Sequence, residues 1–121
     1  MSYDDNNVFA KILRGEIPCK KIYEDEFVLS FYDINPQKKI HALVIPKGKY
    51  VDLDDFSTKA SNDEMVGLLK GITIVANNLK ISVDTGKGYR ALANISEDGG
   101  QEVPHLHFHL FGGEKVGKMV E

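Results

Sequence analysis

The chain has 121 residues, the length of one domain (residues 1–121) with a single buried core. Charged residues make up 27% of it and the net charge is −3, which argues against a non-specific nucleic-acid-binding surface. The apolar runs are too short to cross a bilayer and the N-terminus is polar and acidic, so we expect neither a membrane span nor a signal peptide. The single Cys19 cannot form an internal disulfide, which favours a cytoplasmic location.

The first predicted element is a short helix, whose apolar residues recur at helical spacing: Val8, Phe9, Ile12 and Leu13. Asn6 or Asn7 can cap its start, and Gly15 can end it. Three strands follow in the prediction, over residues 20–24, 27–33 and 41–46. Alternation on the second strand predicts four residues on one face: Phe27, Leu29, Phe31 and Asp33.

The clearest helix begins after Ser61, which forms a capping-box pattern with Glu64. An apolar stripe follows: Met65, Leu68, Leu69, Ile72, Val75, Ala76 and Leu79. Gly67 and Gly71 lie four residues apart on one face of this helix, where another backbone could approach closely. Strands are predicted again over residues 89–94 and 103–111. This order predicts an α+β domain, a five-stranded antiparallel sheet with one long and one short helix packed on it.

Three of the four histidines occupy alternate positions within residues 105–109. On a strand, His105, His107 and His109 would share one face, while the leucine and phenylalanine between them would face a core. A glycine-bearing loop, residues 98–102, comes directly before and can present backbone N–H groups to an anion. Imidazoles beside an anion-binding loop indicate phosphorus chemistry.

The same histidines could have a structural, a metal-binding or a nucleophilic role. A purely structural role would require hydrogen-bond partners for three buried imidazoles. A metal site could combine His-x-His with the distant His41. Alternatively, a neutral imidazole can attack phosphorus while a protonated one donates to the leaving group. The residues alone leave the metal and the nucleophile interpretations open.

The motif His-φ-His-φ-His-φ at residues 105–110, with φ hydrophobic, resembles the signature of the histidine triad (HIT) superfamily. The similarity runs through nearly the whole chain: residues 8–12, 15–18, 23–25, 33–34, 36–37, 41, 44–47, 94, 99–101 and 112–113. Residues 100–103 together with 112–113 resemble its Hint branch, the bacterial purine nucleoside phosphoramidases. The resemblance implies a HIT-like fold, a homodimer, an AMP or GMP derivative as substrate and no cofactor.

Matching positions carry the implied site residues over to this chain. His107 resembles the nucleophile, the main-chain carbonyl of His105 would orient it, and His109 and His41 complete the catalytic set. Asp33 matches the ribose-binding acid. The implied phosphate-binding residues are Asn94, Gly100, Gln101, Glu102, Val103, His107 and His109. The implied base pocket consists of Val8, Phe9, Ile12, Phe31, Ile34 and Leu43.

Several positions depart from the family pattern. Asn7 and Ala10 stand where some relatives carry two cysteines that help bind a structural zinc, so no metal is expected. Lys49 replaces a frequent histidine, and Glu114 replaces a common arginine. A Glu102 carboxylate would repel a phosphate, so we expect the backbone amide of this residue to face the phosphate.

The implied reaction is hydrolysis of the P–N bond of purine nucleoside 5′-phosphoramidates through a nucleotidyl-histidine. A dinucleoside-polyphosphate hydrolase is the nearest alternative, followed by a non-catalytic nucleotide-binding regulatory module and a metal-dependent hydrolase. For the implied dimer, the contact surfaces predicted are the Gly67/Gly71 face and the strand at residues 89–94.

Overall fold

The computed structural model describes residues 2–119. Within them the elements are α1 (Val8–Leu13), β1 (Lys21–Glu24), β2 (Val28–Tyr32), β3 (Ile40–Pro46), α2 (Leu53–Lys59), α3 (Asn62–Asn78), β4 (Arg90–Leu92) and β5 (Phe108–Gly112). The strands form one sheet in the order β1-β2-β3-β5-β4, and every neighbouring pair is antiparallel. The predicted α+β fold with a five-stranded antiparallel sheet is confirmed.

Side chains at the helix starts explain where α1 and α3 begin. Asn7 caps α1, because its side-chain oxygen accepts a hydrogen bond from the Ala10 amide at 2.9 Å. Ser61 and Glu64 form the predicted capping box of α3, with each side chain accepting from the backbone amide of the other, at 3.1 and 3.0 Å. Ser61 therefore caps α3 as predicted, and Asn7 is the one of the two predicted candidates that caps α1.

The two faces of the sheet carry separate apolar clusters. The helix-side cluster lies under α2 and α3 and contains Val28, Ala42, Val44, Phe56, Leu68, Ile72, Val75, Leu106 and Leu110. The site-side cluster lies under α1 and contains Phe9, Leu29, Phe31, Leu43 and Ile45. Adjacent residues of β2 and β3 alternate between these clusters, as the period of a strand requires. Both faces of the central strands are therefore covered, and β3 is buried from His41 to Pro46.

The predicted β2 strand and the helix count need correction. β2 begins at Val28, so Phe27 lies in the preceding turn and packs against the helix-side cluster rather than beside Leu29. Helix α2 was not predicted, because only Phe56 of its seven residues is buried and an apolar period is therefore absent. Asp52 caps this helix by accepting from the Asp55 amide.

The last strand is also shorter than predicted. β5 begins at Phe108, so the prediction that all three triad histidines lie on one strand is wrong. Pro104 has no amide hydrogen, and the His105 amide donates to Val103 O at 2.9 Å in a tight turn. Alternation of the side chains nevertheless continues into the turn, because Leu106 and Leu110 both enter the helix-side cluster. β4 likewise covers only Arg90–Leu92 of the predicted residues 89–94.

The predicted role of the α3 glycines is wrong. A Cβ at Gly67 would lie 2.6 Å from the Phe27 ring, and one at Gly71 would lie 2.8 Å from Val28 Cγ2. Both glycines therefore bring α3 close to its own sheet and offer no surface to a second chain. Leu69, which we assigned to the buried stripe, is 67% exposed. Even α3, the longest helix, falls short of what a membrane crossing requires, and so does every other helix within residues 2–119.

Replacing Gly71 with alanine tests this close approach. Overpacking a filled core typically costs about 1–3 kcal/mol. Alanine gains about 1 kcal/mol over glycine in helix propensity, which offsets only part of that cost. We therefore expect Gly71→Ala to lower the free energy of unfolding in urea, whereas Lys70→Ala on the exposed face should leave it nearly unchanged. Equal stability of the two variants would contradict the packing described for Gly71.

Candidate active site

The register of the central strands brings three predicted site residues together. Leu43 pairs with His109 and His41 pairs with Phe111, so both histidines lie on the site-side face. The Asp33 amide donates to His41 O at 3.0 Å, which places Asp33 beside His41 just after β2. The ring centroids of His41 and His109 are 5.1 Å apart, and Asp33 Oδ2 lies 3.5 Å from His41 Nε2.

His105 and His107 reach the same face from the turn before β5. The ring of His107 lies 5.1 Å from that of His109 and meets Phe9 edge-on at 4.9 Å, between centroids. His105 is fully buried and His107 is 6% exposed. The structure thus assembles all four predicted catalytic residues into one histidine cluster, His41, His105, His107 and His109, although only His41 and His109 lie on strands.

Backbone partners determine which nitrogen of His105 and His107 carries the proton. Pro46 O lies 2.9 Å from His105 Nε2, and a carbonyl can only accept, so Nε2 is the donor. His105 Nδ1 then accepts from the Tyr3 hydroxyl at 2.6 Å. His107 Nδ1 donates to His105 O at 2.7 Å, which leaves the lone pair of His107 on Nε2.

Hydrogen-bond partners also determine the tautomers of His41 and His109. The Gln37 amide donates to His41 Nδ1 at 3.1 Å, so the proton of neutral His41 is on Nε2. That proton is donated to His109 Nδ1 at 2.9 Å. The proton of neutral His109 therefore sits on Nε2. Within residues 2–119, His107 Nε2 is consequently the one lone pair of the histidine cluster that accepts no hydrogen bond from the protein.

Burial keeps the cluster uncharged at neutral pH. Desolvation lowers the pKa of His105 to about 4, even though its bond to Pro46 O opposes the shift. Desolvation and the neighbouring histidines lower the pKa of His109 to about 4 as well. Burial also lowers the pKa values of His41 and His107, against the opposing effect of Asp33. A neutral His107 has the lone pair that a nucleophile needs.

Asp33, His41 and His109 are close enough to be considered as metal ligands, since one atom from each lies within 4.8 Å of the others. A metal ion at His41 Nε2 would require the ring proton on Nδ1. That nitrogen already faces the Gln37 amide donor, so two N–H groups would oppose each other. Metal binding would also break the bond from His41 to His109. The hydrogen bonds around His41 therefore favour a donor at Nε2 over a metal ligand.

The side chains of Asn94 and Gln101, which we matched to phosphate binding, form hydrogen bonds that stabilise the loop at residues 94–103. Gln101 accepts from the Ser96 amide and donates to Val51 O and Val103 O, at 3.0, 2.6 and 3.0 Å. Asn94 donates to Gly99 O at 2.7 Å. The Gln101 amide group is thus occupied in bracing the loop. No hydrogen bond within residues 2–119 uses the backbone N–H of Glu102 or Val103, so these two donors are free.

The predicted base-pocket residues separate into buried and exposed groups. Phe9, Phe31 and Leu43 are buried in the site-side cluster, with Ile12 packed against its edge. Val8 is 39% exposed on α1, and Ile34 is 91% exposed after β2. Buried side chains can form the floor of a pocket, and the two exposed ones can line only its rim.

A cavity of about 720 Å³ opens beside Asp33 and His41. Its walls include Ile34 together with residues that we did not predict: Pro18, Cys19, Lys20, Tyr32, Pro36 and Lys39. Sequence inspection also missed Tyr3 and Gln37, which fix the proton positions in the histidine cluster. Tyr3 is 102 residues from its partner and Gln37 acts through its backbone, so neither leaves a local motif. Glu114 accepts from the Lys39 amide and so joins the end of β5 to this wall.

The low pKa values predict how stability depends on pH. The pKa of His109 falls from its ordinary 6.5 to about 4 on folding, so between these values the unfolded chain binds more protons. Stability should therefore be greatest above pH 6.5 and fall as the pH drops toward 4. Replacing His109 with glutamine should remove about one proton of uptake on unfolding near pH 5, measured from the pH dependence of urea unfolding. An unchanged slope would show that His109 is protonated in the folded protein.

Known proteins resemble this chain over nearly its whole length. The HIT domain family model matches residues 14–116. An uncharacterized 13.2 kDa HIT-like protein from Azospirillum brasilense is 55% identical over 98% of this chain and 95% of its own length. A structure described as a HIT family hydrolase from Clostridium thermocellum covers 98% of this chain and 99% of that one, with 36% identity and a TM-score of 0.86. A HIT family hydrolase from Legionella pneumophila is 40% identical over 93% of this chain and 96% of that one, with a TM-score of 0.74. The chain therefore belongs to the HIT domain family.

Proposed function

We propose that the chain hydrolyses the P–N bond of purine nucleoside 5′-phosphoramidates through a nucleotidyl intermediate on His107. The observation that carries this proposal is the free lone pair on His107 Nε2, at the centre of a cluster in which the other lone pairs accept hydrogen bonds. His107 is neutral, and the carbonyl of His105 and the edge of Phe9 both restrain its ring. A restrained neutral imidazole is suited to in-line attack.

The proposed reaction has two steps. His107 Nε2 attacks the α-phosphorus and forms a new N–P bond, while the bond to the leaving amine breaks and the amine takes up a proton. Water then attacks the same phosphorus and loses a proton to solvent, while the N–P bond breaks, its electron pair returns to His107 and the nucleoside monophosphate is released. The Nε2–H of His109, whose ring lies 5.1 Å from that of His107, can donate a hydrogen bond to the leaving amine, and the proton that the amine takes up comes from water.

The free amides of Glu102 and Val103 are the proposed donors to the phosphate oxygens. Fixed backbone donors stabilise charge as it grows on the phosphate oxygens. Gln101, Asn94 and Gly100 have a supporting role in this proposal, because their bonds shape the loop that presents the two amides. The Glu102 side chain is exposed, which is compatible with its amide facing the phosphate.

The nucleoside would lie along the site-side face. Asp33 has a carboxylate oxygen 3.5 Å from His41 and can accept hydrogen bonds from ribose hydroxyls. Phe9, Phe31, Ile12 and Leu43 would form the apolar floor under the purine, with Val8 and Ile34 at its rim. Two relatives of known structure that are described as HIT family hydrolases support a hydrolytic reaction.

Replacement of His107 tests the proposal directly. We expect His107→Ala to lower turnover of an adenosine phosphoramidate at least about 10³-fold, because the nucleophile is lost. AMP binding, measured by calorimetry, should stay within a few-fold, because Asp33 and the apolar floor remain. Mass spectrometry of acid-quenched wild-type enzyme should find the nucleotidyl group on the peptide that contains His107.

Substrate and chelator controls separate the alternatives. Turnover of dinucleoside polyphosphates but not of phosphoramidates would favour the polyphosphate hydrolase. AMP binding without turnover would favour a regulatory module, and activity lost in chelator would favour a metal-dependent hydrolase. Near-normal turnover by His107→Ala would show that the chemistry uses another residue.

A homodimer belongs to the same proposal. β4 pairs with β5 alone within the described residues, so one edge of the short Arg90–Leu92 strand is open. Val66 and Leu69 of α3 are 49% and 67% exposed. An open strand edge and exposed apolar side chains are features that a two-fold interface can cover.

Light scattering at micromolar concentration checks the dimer, and we expect twice the 13.5 kDa chain mass. Leu69→Glu should shift the mass toward that of one chain, because it places a charge in the exposed apolar pair. Ser57→Glu adds the same charge on α2 and should leave the mass unchanged. A wild-type protein with the mass of one chain would overturn this proposal.

A further inference from the structure

The N-terminal segment reaches into the histidine cluster through Tyr3. The Tyr3 hydroxyl lies 2.6 Å from His105 Nδ1, and the two rings meet edge-on with centroids 5.5 Å apart. His105 is fully buried, whereas Tyr3 is only partly buried. Tyr3 thus lies between the buried His105 ring and the protein surface.

The direction of this hydrogen bond is determined by the other side of the ring. His105 Nε2 donates to Pro46 O at 2.9 Å, so the neutral ring has an acceptor at Nδ1 and the tyrosine hydroxyl must donate. Loss of the hydroxyl would leave a buried nitrogen without a donor. Pro46 and Tyr3 together hold the His105 ring at both nitrogens.

The backbone of His105 in turn restrains the His107 ring. The His105 carbonyl accepts the Nδ1–H of His107 at 2.7 Å. The position of this carbonyl therefore determines both the tautomer and the aim of the nucleophile. Movement of the His105 ring would move the residue whose carbonyl holds His107, and misplacement by about 1 Å can cost roughly 10²-fold in rate.

Tyr3 itself is held in place by its neighbours in sequence. Asp5 forms an ion pair with Lys49 at 2.9 Å, and its carbonyl accepts from the Arg14 guanidinium at 2.8 Å. The Asn7 side chain donates to Asp4 O at 2.7 Å while it caps α1. The segment that carries Tyr3 is therefore bonded to α1 and to the region after β3.

We propose that Tyr3 is a positioning residue for the nucleophile, because its hydroxyl fixes His105 and the His105 carbonyl in turn fixes His107. This inference rests on the proposed function for its effect on turnover, but the effect on the His107 ring can be measured without substrate. Tyr3 is assigned no contact with the nucleotide. Its loss should therefore change kcat far more than KM.

The kinetic test compares two tyrosine-to-phenylalanine variants. Tyr3→Phe keeps the ring and removes the hydroxyl, and we expect kcat for an adenosine phosphoramidate to fall roughly 10-fold with KM within about twofold of wild type. Tyr23→Phe removes a hydroxyl that donates to Asp25 at 2.7 Å, on β1 beside the helix-side cluster. This control should keep the wild-type kcat.

NMR spectroscopy measures the tautomers of the His105 and His107 rings directly. In ¹⁵N NMR spectra of the wild-type protein we expect His107 protonated at Nδ1 and His105 protonated at Nε2. Tyr3→Phe should shift the His107 ring nitrogens toward a mixture of tautomers, whereas Tyr23→Phe should not. If the wild type turns over substrate, an unchanged kcat or unchanged His107 nitrogens in Tyr3→Phe overturns the inference.

Two further outcomes keep this inference separate from the proposed function. If the wild type turns over no nucleotide substrate, the proposed function fails and the His107 nitrogen shifts alone decide the role of Tyr3. If Tyr3→Phe does not fold, the NMR signal of the Tyr3 hydroxyl proton in the wild-type protein decides whether Tyr3 holds His105. A Tyr3 hydroxyl proton protected from exchange and coupled to His105 Nδ1 supports the inference, and one in fast exchange with water overturns it.

Discussion

The antiparallel pairing of β3 with β5 is the constraint on which the site depends. This register sets Leu43 opposite His109 and His41 opposite Phe111, so two histidines from distant parts of the chain share one face. A slip of one residue would turn both imidazoles into the helix-side cluster. The apolar residues between them prevent that slip, because Ala42, Val44 and Leu110 are fully buried on the other face. Core packing and site geometry are thus two consequences of one register.

Hydrogen bonds then distinguish His107 from the other three imidazoles, because His107 carries its proton on Nδ1 and the others carry theirs on Nε2. Pro46 O, His105 O and the Gln37 amide each contact one imidazole nitrogen and fix its tautomer. The result is a cluster in which His41 donates to His109 and one lone pair, on His107, stays free. Burial keeps the rings neutral by lowering their pKa values, so the distinction between them persists at pH 7.

The N-terminal segment completes this arrangement from outside the sheet. Phe9 of α1 packs its edge against His107, and Tyr3 donates to His105. The same segment is bonded to Lys49 and to the start of α1, so it links the site-side cluster to the histidines. Substitutions near the N-terminus, far from the triad in sequence, can therefore affect the nucleophile that we propose.

The sequence by itself determined those features that follow from local periodicity and capping. These are the Ser61 helix start, the start of α1 to within the pair Asn6 and Asn7, the five strands and the alternation of residues 105–110. The triad motif and its likeness to a known family also identified the four histidines that the structure brings together. Only the tertiary structure decided the start of β5, the inward direction of Gly67 and Gly71, and the partners of each imidazole. These depend on contacts between residues distant in sequence, such as Tyr3 with His105, and on backbone groups that every residue possesses, so no local pattern can encode them.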